Sequence, residues 1–147
     1  MPTLKNWISA SRLRTLPLSI SGAVVGSSYA YYLGYFDFFV FILIILTTIS
    51  FQVLSNLAND YGDGIKGTDS KNRIGPKRAI QSGLISPRQM LYAILFNVLL
   101  SATLCVLLVW FVFGFDQIIM SLLFLILGGI SIYAAITYTV GQFAYGY

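Results

Sequence analysis

Asn56-Leu57-Ala58-Asn59-Asp60-Tyr61-Gly62-Asp63-Gly64-Ile65-Lys66-Gly67-Thr68-Asp69 gathers three of the chain's five acidic residues, directly after an uncharged run over 38–59. Carboxylates held at the edge of hydrocarbon cost free energy, so a group of them marks a site. Asn56, Asn59, Asp60 and Asp63 stand at i, i+3, i+4 and i+7, the spacing of one helical stripe. Four oxygen-bearing side chains on one face suit a hard divalent cation.

Working outward, the 147 residues are 57% hydrophobic and only 10% charged. Soluble domains carry about 25% charged residues, so the expected fold class is an all-α, multi-spanning membrane protein. Uncharged runs over 15–36, 38–59, 89–115 and from 117 to the end each supply the roughly 20 residues of a spanning helix. The reading is four transmembrane helices in two hairpins, over about 16–36, 38–58, 89–113 and 117–139, with tight turns at Asp37 and Asp116. A long loop over 59–88 joins the hairpins.

The net charge of +4 does not describe a nucleic-acid patch. Lys5, Arg12 and Arg14 precede the first apolar run, and Lys66, Lys71, Arg73, Lys77, Arg78 and Arg88 all lie in the loop. This is the asymmetry of the positive-inside rule, and it puts the N-terminus and the loop on the cytoplasmic side. Basic residues ahead of an apolar run imitate a signal peptide, but the run continues past Ser28-Tyr29-Ala30 and three more follow. With no histidine, imidazole-bound zinc and Ser-His-Asp chemistry are unavailable. Cys105 alone makes no intrachain disulfide and reads as a small apolar residue. Any metal must be held by Asp and Asn oxygens and carbonyls, which selects Mg²⁺ or Mn²⁺.

The loop has its own turn chemistry. Gly62, Gly64 and Gly67 are expected to unwind the end of the second helix and let backbone approach a ligand. Gly75-Pro76 marks a turn, residues 77–85 are expected to form a short interfacial helix, and Ser86-Pro87 caps the third span. Mg²⁺ commonly takes one or two carboxylates and shares its other positions with water and substrate phosphates. Lys66, Arg73, Lys77 and Arg78 would then neutralise the rest of a diphosphate. The competing structural account makes the aspartates solvated turn formers and the cations topology signals.

The run Asn59-Asp60-Tyr61-Gly62-Asp63, through Lys66-Gly67-Thr68-Asp69 and Arg73-Ile74-Gly75-Pro76-Lys77-Arg78 to Gly83-Leu84-Ile85, resembles the first Asp-rich motif of UbiA-type intramembrane prenyltransferases. Arg12-Leu13-Arg14-Thr15-Leu16-Pro17 resembles the opening of that family's first helix, and Tyr138-Thr139 through Gly146-Tyr147 the approach to its fifth. Within the family the similarity is to the branch that acts on 1,4-dihydroxy-2-naphthoate in menaquinone biosynthesis. The resemblance implies Mg²⁺ (or Mn²⁺) held by Asn59 and Asp63, with Asp60 and Asp69 at further acidic positions of the motif. It implies that Lys66 and Arg73 lie near a polyprenyl diphosphate, joined by Lys77 and Arg78, and that Arg14, with Arg12, contacts diphosphate or the aromatic acid. Asp60, Asp63 and Lys66 are the residues it gives catalytic weight; Asn56 enters from helical spacing as a supporting group. Tyr138, Tyr133 and Tyr61 are candidates to stabilise an allylic cation with their π faces. The implied setting is a bacterial inner membrane. Family members are about twice this length and carry a second Asp-rich loop, absent here, so the expectation is an N-terminal half with turnover dependent on a complementary part.

Two other classes fit the sequence less well. A CDP-alcohol phosphotransferase would share Asp60-x-x-Asp63-Gly64, but Gly67-Thr68 stands where that family needs Ala-Arg. A non-catalytic four-helix subunit would line a path with polar groups, and Gln52, Asn97 and Thr103 are too scattered for one. Another aromatic prenyltransferase of the same family is the nearer alternative.

Overall fold

A computed structural model describes residues 2–67, 78–142 and 144–146 of the chain. The described residues are helical, with helices α1 (Leu4–Ala10), α2 (Leu16–Tyr32), α3 (Phe38–Lys66), α4 (Pro87–Phe113) and α5 (Ile118–Thr137), and a 3₁₀ turn at Leu13–Thr15. The membrane-type, all-helical class read from composition is what the chain forms. Helix α3 is the hub: α2, α4 and α5 all pack on it, and α4 and α5 pack on each other.

Length decides where the polar stripe emerges. Helix α3 has 29 residues, which at ~1.5 Å each rise about 43 Å. The hydrocarbon core is about 30 Å thick, so α3 projects two turns or more beyond it. Its uncharged stretch from Phe38 onward fills that thickness, and the acidic stripe occupies the overhang. Helices α3, α4 and α5 are long and apolar enough to cross a membrane. Helix α2 is shorter than read from sequence, with 17 residues ending at Tyr32 rather than 36, because Leu33-Gly34 turns the chain with Gly34 at φ +80°. That leaves α2 at the short limit for a span.

The caps follow the sequence. Asp37 accepts the Val40 N–H at 2.9 Å to start α3. Ser86 and Gln89 form a reciprocal capping box at α4, with Pro87 in the first turn. Two loop expectations need correction. Helix α3 does not unwind at Gly62 and Gly64; it runs unbroken to Lys66 and ends at Gly67, whose φ of +67° is the left-handed stop. Residues 79–84 form hydrogen-bonded turns rather than a helix, with both Leu84 N–H and Ile85 N–H donating to the Ala79 carbonyl. Gly83, at φ +69°, reverses the chain there.

The helical glycines serve close approach between protein segments. A Cβ at Gly62 would overlap the backbone carbonyl of Thr139, and one at Gly64 would lie 2.6 Å from Ile80 Cγ2. The apolar core sits at this same end, where Leu54 and Leu57 of α3 meet Ala10, Ala79, Ile85, Met90 and Ile94. Deeper in the bundle Ser50, Asn97 and Ser101 form a buried polar cluster, with Ser50 Oγ 2.7 Å from Ser101 Oγ, which ties α3 to α4. At the far end Tyr29, Tyr31, Tyr32, Tyr35, Phe36, Phe38 and Phe39 are exposed, as an interfacial aromatic belt requires.

The obstacle at Gly62 is the backbone of Thr139, and that at Gly64 is the Cγ2 and Cβ of Ile80, a β-branched side chain stiff at χ1. Gly62→Ala and Gly64→Ala should each destabilise the detergent-solubilised chain by about 1–3 kcal/mol, as overpacking does. Thermal unfolding of both variants checks this.

Candidate functional site

Asp63 and Asp60 lie in the last turns of α3, where the exposed carbonyls give the helix its negative end. Two carboxylates here attract cations, and the chain answers each differently. Asp63 is buried and forms an ion pair with Arg78 Nη1. The same Arg78 nitrogen donates to the Asn59 carbonyl at 2.6 Å. The guanidinium therefore lies along one turn of the stripe, bridging residues 59 and 63.

Asp60 is 2% exposed, and its oxygens accept the Ala79 N–H at 3.1 Å and the Ile80 N–H at 3.3 Å. A buried carboxylate engaged by two consecutive amides is a fastening for the 78–85 turns. The stripe read as one set of ligands thus divides: Asp60 faces the protein's own backbone, while Asp63 faces Arg78.

Asn56 is likewise buried, and its Nδ2 donates to the Ser11 carbonyl at 2.9 Å and to Thr15 Oγ1 at 3.1 Å. Gln52 extends the network, donating to Thr15 Oγ1 at 3.3 Å and accepting from Ser19 Oγ at 2.5 Å. Asn56 thus secures the segment before α2. In that segment Arg12 has φ +50° and ψ +56°, a left-handed conformation rare for a side-chain-bearing residue. Thr15 N–H and Oγ1 both donate to the Arg12 carbonyl at 2.9 Å and close the turn. Arg12 is half-buried with its Nη2 enclosed, whereas Arg14 is exposed. Arg12 thus turns inward and Arg14 outward.

Asn59 is half-buried, and its Oδ1 lies 3.1 Å from the Thr139 hydroxyl. Thr139 follows the end of α5, is 4% exposed, and also reaches the Ala58 carbonyl at 3.1 Å. Sequence reasoning had chosen its neighbour Tyr138, whose ring instead packs edge-on against Tyr145 with centroids 5.4 Å apart. The Tyr-Thr pair gave no periodic signal that could have separated the two. Lys66 ends α3 and lines a cleft of about 290 Å³ with Tyr61, Gly62, Ile65 and residues 139–142. Tyr133 is exposed on α5. Asp69, Arg73 and Lys77 lie outside the described residues.

Among the described residues no three of the groups His, Cys, Asp and Glu come together. Asn59 and Asp63 nonetheless supply a carboxamide and a carboxylate oxygen one helical turn apart, with only oxygen donors and a cation-favouring helix end. That set is too sparse for a closed protein cage and fits Mg²⁺ or Mn²⁺ completed by substrate phosphates and water.

Comparisons with known proteins bear on the family. The model of the UbiA prenyltransferase family matches residues 19–147. The 1,4-dihydroxy-2-naphthoate octaprenyltransferase of Escherichia coli is 44% identical over 96% of this chain and 45% of its own length. The proteins of that name from Haemophilus influenzae and Mycobacterium tuberculosis are 43% and 34% identical, covering 98% and 100% of this chain and 47% of their own lengths. The chain thus spans about half the length of the curated relatives it matches. No solved structure matches. With a family model covering most of its residues and three such relatives aligned along nearly all of it, the chain belongs to the UbiA prenyltransferase family.

Proposed function

We propose that this chain supplies the diphosphate-binding wall of an enzyme that transfers a polyprenyl group from polyprenyl diphosphate to 1,4-dihydroxy-2-naphthoate in menaquinone biosynthesis. The observation that carries the reading is the buried contact between Asp63 and Arg78 at the overhang of α3, with Asn59 one turn back. An anion and a cation held side by side at a membrane surface present both signs that a metal-bound diphosphate requires. The printed names of the relatives support the choice of acceptor.

In this reading Asn59 and Asp63 hold Mg²⁺, or Mn²⁺. When bound, the ion draws off the negative charge that develops as diphosphate departs. Arg78 neutralises Asp63 in the ligand-free chain. On substrate binding its guanidinium turns from carboxylate to phosphate, keeping the charge balanced at each stage. Lys66, at the rim of the adjoining cleft, and Arg12, on the strap across the stripe, add positive charge around the leaving group. Arg73 and Lys77 are proposed for the same task, and Asp69 as a further acidic group of the motif.

The allylic C–O bond breaks with its electron pair leaving on diphosphate, and the electron-rich ring forms a new C–C bond to the allylic carbon. Loss of the ring carboxylate as CO₂ and re-aromatisation complete the exchange. Tyr61 lines the cleft beside Lys66, where its ring can face a cationic carbon. The surrounding hydrocarbon houses the polyprenyl tail and excludes water that would intercept the cation. The basic residues flanking the spans support a site that faces the cytoplasm, and the bacterial origin of the relatives supports an inner-membrane setting.

Two outcomes are expected. In proteoliposomes carrying the chain, Mg²⁺-dependent retention of a polyprenyl diphosphate should fall at least tenfold in Asp63→Ala; unchanged retention overturns the proposal. Asp60→Asn should act on the fold instead. Turning one acceptor into a donor opposite a buried amide costs about 1–3 kcal/mol, seen as a lower unfolding temperature and faster proteolysis within 78–85.

A further inference from the structure

We propose that Thr139 is a positioning residue, which fixes the carboxamide of Asn59 so that its oxygen faces the metal site. The inference rests on the reading of Asn59 and Asp63 as cation-holding groups and adds to it a residue from a distant part of the chain.

Thr139 Oγ1 lies 3.1 Å from Asn59 Oδ1 and 3.1 Å from the Ala58 carbonyl, in a position only 4% exposed. Both neighbours are acceptors, and a hydroxyl has one proton to donate. The Ala58 carbonyl lies within α3 and already accepts the helical N–H of residue 62, which favours giving the proton to Asn59 Oδ1 and leaves the second lone pair of that oxygen free for a cation. Without such a donor, a half-buried carboxamide can rotate and present Nδ2, which repels a metal.

The location of the hydroxyl is itself fixed. The backbone of Thr139 occupies the space where a Cβ of residue 62 would be, so α3 and the residues after α5 meet without an intervening side chain. Gly62 thereby lets Thr139 reach the turn that bears Asn59. Groups that orient a metal ligand commonly change metal affinity by 10–100-fold when removed. A plain helix-to-helix fastening would change stability and leave affinity alone.

The experiment measures Mn²⁺ binding to the detergent-solubilised chain by electron paramagnetic resonance, in the presence of inorganic pyrophosphate. Thr139→Val preserves shape and removes the hydroxyl, and should raise the half-saturating Mn²⁺ concentration about tenfold or more. Thr139→Ser restores the donor and should stay within about threefold of the parent. Thr139→Ala makes the same prediction as Thr139→Val if valine disturbs folding, which unfolding temperatures report. If the parent binds Mn²⁺ and loses it in Asp63→Ala while the Val and Ala variants bind as the parent does, the role of Thr139 is overturned and the metal reading stands. If the parent shows no Mn²⁺ binding, or Asp63→Ala binds equally well, the metal reading fails and the role of Thr139 falls with it.

Discussion

A carboxylate cannot be withdrawn from water at a membrane surface unless something of opposite charge, or several well-aimed dipoles, goes with it. Helix α3 carries two such groups in its final turns, and much of the architecture around it answers their requirements. Asp63 has a guanidinium, and Asp60 has a pair of backbone amides. The end of α3 is the unfavourable pole for an anion, which sharpens both requirements. The residues that meet them come from 78–80, which are drawn back against the helix end. The apolar core of Leu54, Leu57, Ile85 and Met90 collects directly beneath.

The overhang also explains why several elements converge on one end. The segment before α2 is fastened to Asn56 through Ser11 and Thr15, and the residues after α5 are fastened to Ala58 and Asn59 through Thr139. The last exposed turns of a long helix become the common anchorage for parts of the chain up to 81 positions apart. Side chains facing lipid contribute little to such specificity, since hydrocarbon accepts any of them equally. Directional contacts are concentrated where the helix leaves the hydrocarbon and in the Ser50, Asn97 and Ser101 cluster.

Much of this was legible in the sequence, because hydrocarbon imposes a single coarse rule. Uncharged runs of sufficient length must be helices, and the cap at Ser86 follows from local chemistry alone. The helical spacing of Asn56, Asn59, Asp60 and Asp63 was equally readable, since α3 is continuous through them. What spacing could not convey was which partner each oxygen meets. A stripe looks uniform until the folded chain supplies amides to Asp60, a cation to Asp63 and a carbonyl to Asn56. The glycines misled for a related reason. Gly62 and Gly64 signal close approach, but sequence does not say whether a ligand or another part of the protein approaches. The contact of Thr139 with Asn59 spans 80 positions, beyond any local pattern.

Arg78, Ala79 and Ile80 are consecutive, and all three are moored to the last turns of α3. Three adjacent attachments leave that strand of backbone almost no slack. The conformational entropy lost in ordering it is therefore spent during folding, before any ligand arrives. A molecule that engages the guanidinium finds the backbone beneath it already ordered, so only the side chain has still to move.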